Sequence, residues 1–323
     1  MTSRDKYLNL LYYSVGPTYY ISRALGLLPV RVVRTKNQIR ITSSHDFLYF
    51  GFFLLTYLFL SSYTIFALIS DEHNYKEIPK GFLFVISVMI LTSQIITVIM
   101  AYVMRKPLLN MIERFAEIDM HFGMYNIKMD YKTALMKNRV AVGWLTCSVL
   151  IRSAFTLQNV SVDFIQQYAV FAASFMKSQL KYLFIIFVEA LYVRLSRLNE
   201  SIAAGGDMKA LSLLHFKLCN CCSILIHIFG LQMVMAVGVS AANVIFQNYF
   251  LYRMCTTSNC KEHFYMIGAP LFWILDEMLE IGLLVKFCSR TANVANYTPV
   301  LLHEMRNRTP HDDDLAREVL VFI

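Results

Sequence analysis

The chain has 323 residues, of which 57% are hydrophobic and 16% charged, with a mean hydropathy of +0.48 and a formal net charge of +8. Soluble domains carry roughly 25% charged residues, so this chain has too little polar surface to cover a water-soluble globule and must use lipid as part of its solvent. The positive charge does not indicate nucleic acid, because the basic residues stand in short segments between apolar runs and not in one stripe.

Residues 1–45 precede the first long apolar run and are expected to form a cytoplasmic N-terminal segment. Leu8 to Val15 is apolar, but Gly16-Pro17 and further tyrosines follow with no small-residue cleavage pattern. The segment is therefore not read as a secretory signal, and the first span is expected to serve as an uncleaved signal-anchor. Tyr12, Tyr13, Tyr19, Tyr20, Leu25, Leu27 and Leu28 mix with Arg23 and Arg31. That amphipathic pattern suits a segment lying on the inner membrane face with its rings at headgroup level; a cytoplasmic cap suits it equally.

A spanning helix needs about 20 mostly apolar residues. Six segments qualify: about 46–69, 81–104, 140–158, 164–190, 222–251 and 264–287. The third and fourth are interrupted by Arg152, Lys177 and Lys181, and residues 288–323 read as a polar cytoplasmic tail. No soluble-sized gap separates the segments, so the expectation is a single membrane domain over 1–323: an all-α, polytopic transmembrane bundle of six spanning helices. With the N-terminus inside, 23 of the 30 Lys and Arg residues fall on the inner side. The outer loops hold only Lys76, Lys80, Arg253 and Lys261. This bias sets both ends of a six-span chain in the cytoplasm.

No HExxH, GxSxG, P-loop or Gly-rich dinucleotide turn is present, and the histidines are scattered without metal-ligand spacing. No enzyme activity, cofactor or metal is expected. Charges inside the spans are more informative, because each costs roughly 2.5–3.5 kcal/mol at mid-bilayer on insertion scales. Lys177 lies near the middle of the fourth span, and Asp276 and Glu277 near the middle of the sixth. The fourth and sixth spans run in the same direction, so these groups share a depth and a Lys177–Asp276 ion pair is expected. Glu280, one turn from Asp276, is placed to meet Lys181, and Arg152 is placed to snorkel toward the outer surface. Gln94, Asn243, Gln247 and Trp273 join Arg152, Lys177 and Asp276 as candidate ligand-binding residues around an outward-opening cavity, because a pocket combines an apolar wall with a few convergent polar groups. For each of them taken alone, helix packing is the alternative.

Cys255 and Cys260 share the outer loop between the fifth and sixth spans and are a candidate disulfide. Cys219, Cys221 and Cys222 lie at a cytoplasmic membrane edge, as free thiols or palmitoylation sites. Asn159-Val160-Ser161 is a candidate glycosylation sequon in an outer loop, whereas those at Asn199, Asn296 and Asn307 fall on the cytoplasmic side.

After the sixth span the chain reads Cys288-Ser289-Arg290-Thr291-Ala292-Asn293 and then Val300-Leu301-Leu302-His303-Glu304, and Gly26-Leu27-Leu28-Pro29 stands before the first. With the long basic segment between spans two and three, this layout resembles the insect gustatory receptor family over nearly the whole chain. The resemblance implies helices that extend into the cytoplasm, a multi-pass location in the cell membrane of sensory neurons, and a small-molecule tastant as ligand. It also implies assembly as a tetrameric, ligand-gated cation channel, from one kind of subunit or several. The family's strongest signature is a Thr-Tyr pair in a seventh, pore-lining helix. This sequence stops at Ile323 before any such helix, so the expectation is a ligand-sensing part that does not conduct by itself. A six-helix secondary transporter coupling through Lys177 and Asp276 is the alternative, and a truncated non-conducting receptor variant is another. A transporter of that kind would carry an inverted repeat, and Gly268 beside Pro270 has no counterpart in the first half.

Overall fold

The structure, a computed structural model, describes residues 3–29, 31–34, 39–42, 46–70, 80–125, 127–157, 164–205, 207–257 and 264–308. Eight helices and one hairpin follow in chain order among these residues: α1 Ser3–Ala24, β1 Arg31–Arg34, β2 Ile39–Thr42, α2 Asp46–Ser70, α3 Lys80–Val103, α4 Arg105–Met124, α5 Tyr131–Leu157, α6 Phe164–Ala203, α7 Met208–Thr257 and α8 Phe264–Arg308. The antiparallel hairpin pairs Arg31 with Thr42 and Arg34 with Ile39. It is the departure from an all-helical chain, and it forms where two short β-branched runs, Val32-Val33 and Ile39-Arg40-Ile41, stand close in sequence.

Local sequence explains several helix ends. Past α1, Gly26 takes φ +78° while its amide bonds to Arg23 O and the Leu27 amide to Ser22 O at 2.8 Å. This is a Schellman stop, which needs glycine in the left-handed region. A Cβ on Gly26 would also sit 2.8 Å from Phe53 Cγ, so the Gly26-Leu27 stretch is required by both the cap and the close approach of α2. The hydroxyls of Tyr49 and Tyr57 on α2 donate to the Arg23 and Leu25 carbonyls and lash the two elements together. Asp130 caps α5: its carboxylate accepts the Lys132 and Thr133 amides at 3.1 Å and the Thr133 hydroxyl at 2.6 Å. Those bonds, first that of the Thr133 side chain, hold the Asp130 carboxyl below the usual carboxylate range. Asp207 caps α7 in the same way.

Among the described residues, five helices contain stretches long and apolar enough to cross a membrane: Phe47–Ala67, Phe84–Val103, Tyr131–Ile151, Phe171–Ala203 and Met208–Arg253. The lipid-compatible face is plain on α2, where Phe47, Leu48, Phe52, Leu55, Phe59 and Phe66 are exposed. The sixth expected span falls in α8, whose N-terminal half carries Asp276, Glu277 and Glu280 and so falls short on composition.

Several of these helices run past the bounds expected from the sequence. α6 continues to Ala203, α7 begins at Met208 and not near 222, and α8 continues to Arg308. The 50 residues of α7 extend about 75 Å at 1.5 Å per residue, against a hydrocarbon core of about 30 Å. The N-terminal part of α7 packs against α4, which also packs against α1, and continues the hydrophobic core of the bundle. There Met111, Phe115, Ile118 and Phe122 of α4 meet Leu191, Leu198, Ile202, Leu214 and Leu218, all buried. α1 is a packed element of this core, against α4, α5 and α6, with Leu8, Leu11, Thr18 and Ser22 buried. Beside Pro17, Asn138 of α5 donates to Ser14 O at 2.9 Å and accepts the Thr18 hydroxyl, tying α1 down where proline interrupts its own ladder.

Candidate functional site

On α3, Ser87, Ile90, Gln94 and Thr97 recur at three- and four-residue spacing and so form one stripe. α6 presents Ala173, Ser174, Met176, Lys177 and Leu180, and α7 presents Ala236, Val239, Asn243, Phe246 and Gln247. With Thr64 of α2 and Trp273 of α8, these residues enclose a cavity of about 210 Å³. It lies toward the end of the bundle where α2 gives way to α3 and α7 to α8. Its wall is mostly apolar, with amide and hydroxyl groups set into it, the composition expected of a small-molecule site.

At the cavity's edge three helices each project a pair of polar side chains one turn apart: Lys177 and Lys181 from α6, Ser240 and Asn243 from α7, Glu277 and Glu280 from α8. The Lys177 ammonium bonds the Glu277 carboxylate. Lys181 reaches Glu280 at 2.8 Å, Glu277 at 3.1 Å and the Ser240 hydroxyl at 2.6 Å. Asn243 donates to Glu277 Oε1 at 3.3 Å, and the Ser178 hydroxyl donates to Glu280. Lys181 and Glu277 are 1% and 0% exposed, so the centre of the network is sealed, while Lys177 and Glu280 at its margins are partly buried. Two ammonium groups against two carboxylates make it neutral, which is the condition for burying charges in an apolar medium.

The expected Lys177–Asp276 pair is replaced by Lys177–Glu277. Depth alone does not separate neighbouring residues, whereas on a helix they lie about 100° apart around the axis. Glu277 faces α6, and Asp276 faces α5, where its carboxylate accepts the Ser148 hydroxyl at 2.8 Å. The expected Lys181–Glu280 contact is present. Of the seven residues proposed from sequence, Gln94, Lys177, Asn243, Gln247 and Trp273 line the cavity and Asp276 does not. Arg152 stands on α5, and its side chain lies outside the described residues, as do Cys260 and Asn159. The candidate disulfide and the candidate glycosylation site therefore fall outside them too. Sequence reasoning missed Ser87, Ser93, Thr97 and Ser174, and the signal for the first and third was the stripe they share with Gln94.

A second buried ion pair joins α6 to α4. Arg194 of α6 reaches both carboxylate oxygens of Asp119 on α4, at 2.9 and 2.6 Å. The Tyr131 hydroxyl donates to the same carboxylate at 2.6 Å, and the guanidinium lies 4.5 Å from the centre of the Phe115 ring. Asn199, although it heads a sequon, is buried: it donates to Val294 O at 2.9 Å and accepts the Thr298 hydroxyl at 2.8 Å, joining α6 to α8. Among the described residues no group of three His, Cys, Asp or Glu side chains is arranged to hold a metal ion.

Compared with known families, the chain matches the 7tm chemosensory receptor model over residues 15–323. No curated protein matches it.

Proposed function

The chain belongs to the 7tm chemosensory receptor family, and from that membership we propose that it is a gustatory-type receptor whose cavity between α2, α3, α6, α7 and α8 binds a small tastant. Membership makes it a multi-pass membrane chemoreceptor in a family that is not one of enzymes. The observation that carries the finer reading is the convergence of Gln94, Lys177, Asn243, Gln247 and Trp273 on one cavity that abuts a buried, neutral ion network. A volume of about 210 Å³ is below the usual 300–1,000 Å³ of drug-sized pockets and suits a small ligand.

The topology in this reading has six spans, α2, α3, α5, α6, α7 and α8, with both ends in the cytoplasm, as the 23-to-4 distribution of basic residues favours. The cavity then lies on the outer side. Lys177 and Asn243 both touch the ligand space and both donate to Glu277 of α8. A ligand acceptor group at that point competes with Glu277 for the two donors. It stabilises the arrangement of α8 in which they are turned to the ligand, and so shifts the equilibrium by its differential affinity. In a complete homo- or hetero-oligomeric assembly, a tetramer by analogy with the family, that shift gates a cation pore in the membrane of a sensory neuron.

The chain has two tryptophans, and Trp144 is exposed on α5 while Trp273 lines the cavity. With Trp144→Phe, emission therefore reports on the cavity alone. Titration of the purified chain with sugars, amino acids and alkaloids is expected to give a saturable change with at least one class, lost in Gln94→Leu and Asn243→Leu. A response that survives both substitutions unchanged would place the ligand elsewhere.

A further inference from the structure

Arg105 and Lys106 stand side by side where the apolar run of α3 ends, yet their surroundings differ. Arg105 is engaged: its guanidinium donates to Tyr102 O at 2.7 Å and stacks 3.9 Å from the Tyr102 ring centre. Lys106 has no ion-pair partner among the described residues and instead lines an open groove between α4 and α7 with Asn110, Ser223 and His227. On α4, Lys106 and Asn110 are one turn apart, as are Ser223 and His227 on α7, so the four side chains form two facing pairs. Asn110 accepts a bond from Arg114 through its carbonyl oxygen at 3.3 Å, which leaves its NH₂ group for the groove. No carboxylate lines the groove.

We propose that this groove binds the phosphate of an anionic phospholipid headgroup. An ammonium, an amide NH₂, a hydroxyl and an imidazole are all donors to a phosphate oxygen, and the ammonium supplies the opposite charge. The height is right as well. Lys106 lies three residues beyond the end of the Phe84–Val103 span, and Ser223 stands at the start of the apolar run expected from the sequence at about 222–251. Both walls therefore cross the headgroup layer together. Ile224 lines the groove, and Ile99 and Val103 of α3 and Ile226 of α7 are exposed, a face for acyl chains. The backbone takes no part as an anion-binding helix start. The Met104 amide bonds to Met100 O at 2.8 Å and the Leu108 amide to Met104 O at 3.0 Å, so α3 runs into α4 with its ladder nearly continuous. Under the proposed topology the groove faces the inner leaflet, which carries the anionic lipids, and occupancy would brace α4 against α7.

The test is native mass spectrometry of the full chain in detergent, offered phosphatidylserine, phosphatidylcholine or glycerophosphoserine, a readout indifferent to membrane orientation and to any tastant. Phosphatidylserine is expected to be retained over phosphatidylcholine. Lys106→Gln with His227→Gln is expected to lower that retention roughly five-fold or more, while Lys106→Arg keeps it. Lys286→Gln, which removes an exposed cation of α8 that does not line the groove, is expected to change nothing. Equal retention by the parent chain and the double variant would overturn the proposal. So would glycerophosphoserine binding as tightly as the whole lipid, which would make the ligand a soluble phosphate ester.

Discussion

Two buried ion clusters divide the molecule. Near the cytoplasmic end of the proposed topology, Arg194 and Asp119 make a bidentate pair closed by the Tyr131 hydroxyl and the Phe115 ring. Within the proposed membrane layer, Lys177 and Lys181 face Glu277 and Glu280 beside the cavity. Both are internally compensated, as burial demands. They differ in what adjoins them. In the first, Arg194 and Asp119 are themselves buried and the guanidinium lies against the fully buried Phe115 ring. The second has one member, Lys177, at the wall of a space large enough for another molecule. A compensated cluster in a closed core holds helices together, whereas one that adjoins a cavity gives an incoming polar group something to compete for.

The largest expected effect is from Glu277→Gln, which leaves two buried ammonium groups facing one carboxylate. Breaking a buried pair costs roughly 3–5 kcal/mol, so the purified chain should unfold far earlier in a denaturant titration. Adding Lys177→Met should recover part of that loss, and a Glu277→Gln chain as stable as the parent would break the account of the network. Asp119→Asn is expected to cost about 3 kcal/mol by stranding Arg194. It should leave the Trp273 response of the folded protein intact, because the pair lies outside the cavity; loss of that response at full folding would merge the two regions that the comparison separates.

Leucine substitutions sharpen the contrast at lower energy. Ala116 is fully buried on α4, and Ala116→Leu should destabilise by about 1–3 kcal/mol through overpacking. Ala173→Leu adds the same atoms toward the cavity and should cost less than about 1 kcal/mol while abolishing the ligand response. Equal costs would mean that the cavity is closed in solution. The smallest effect belongs to Lys137→Ala, which removes a 2.8 Å pair with Glu189 whose lysine is well exposed. A change of no more than roughly 1 kcal/mol is expected there, falling further with added salt.

Much of this was legible in the chain. The cavity residues Gln94, Asn243 and Gln247 stood out because polar side chains are few inside apolar segments, and in such segments they turn toward protein. The membrane segments were legible because lipid selects for long apolar runs. Their ends were not, because α6, α7 and α8 stay helical past the bounds that the apolar runs suggested. Hydropathy registers the change of solvent and not the continuing hydrogen-bond ladder. α1 was left between two readings, since an amphipathic pattern states that one face is covered without stating by what; α4, α5 and α6 cover it.

By itself, the sequence determined that the chain is a multi-pass helical membrane protein and which charged and polar residues stand within its long apolar runs. These follow from length, composition and the order of apolar runs, which are properties of the chain alone. Only the tertiary structure decided that Glu277 and not Asp276 meets Lys177, that Asn199 bonds Thr298 in a core, and that Lys106 faces a groove while Arg105 is tied to Tyr102. Each of these depends on how helices distant in sequence are rotated about their own axes, and that rotation is set by side-chain packing between them.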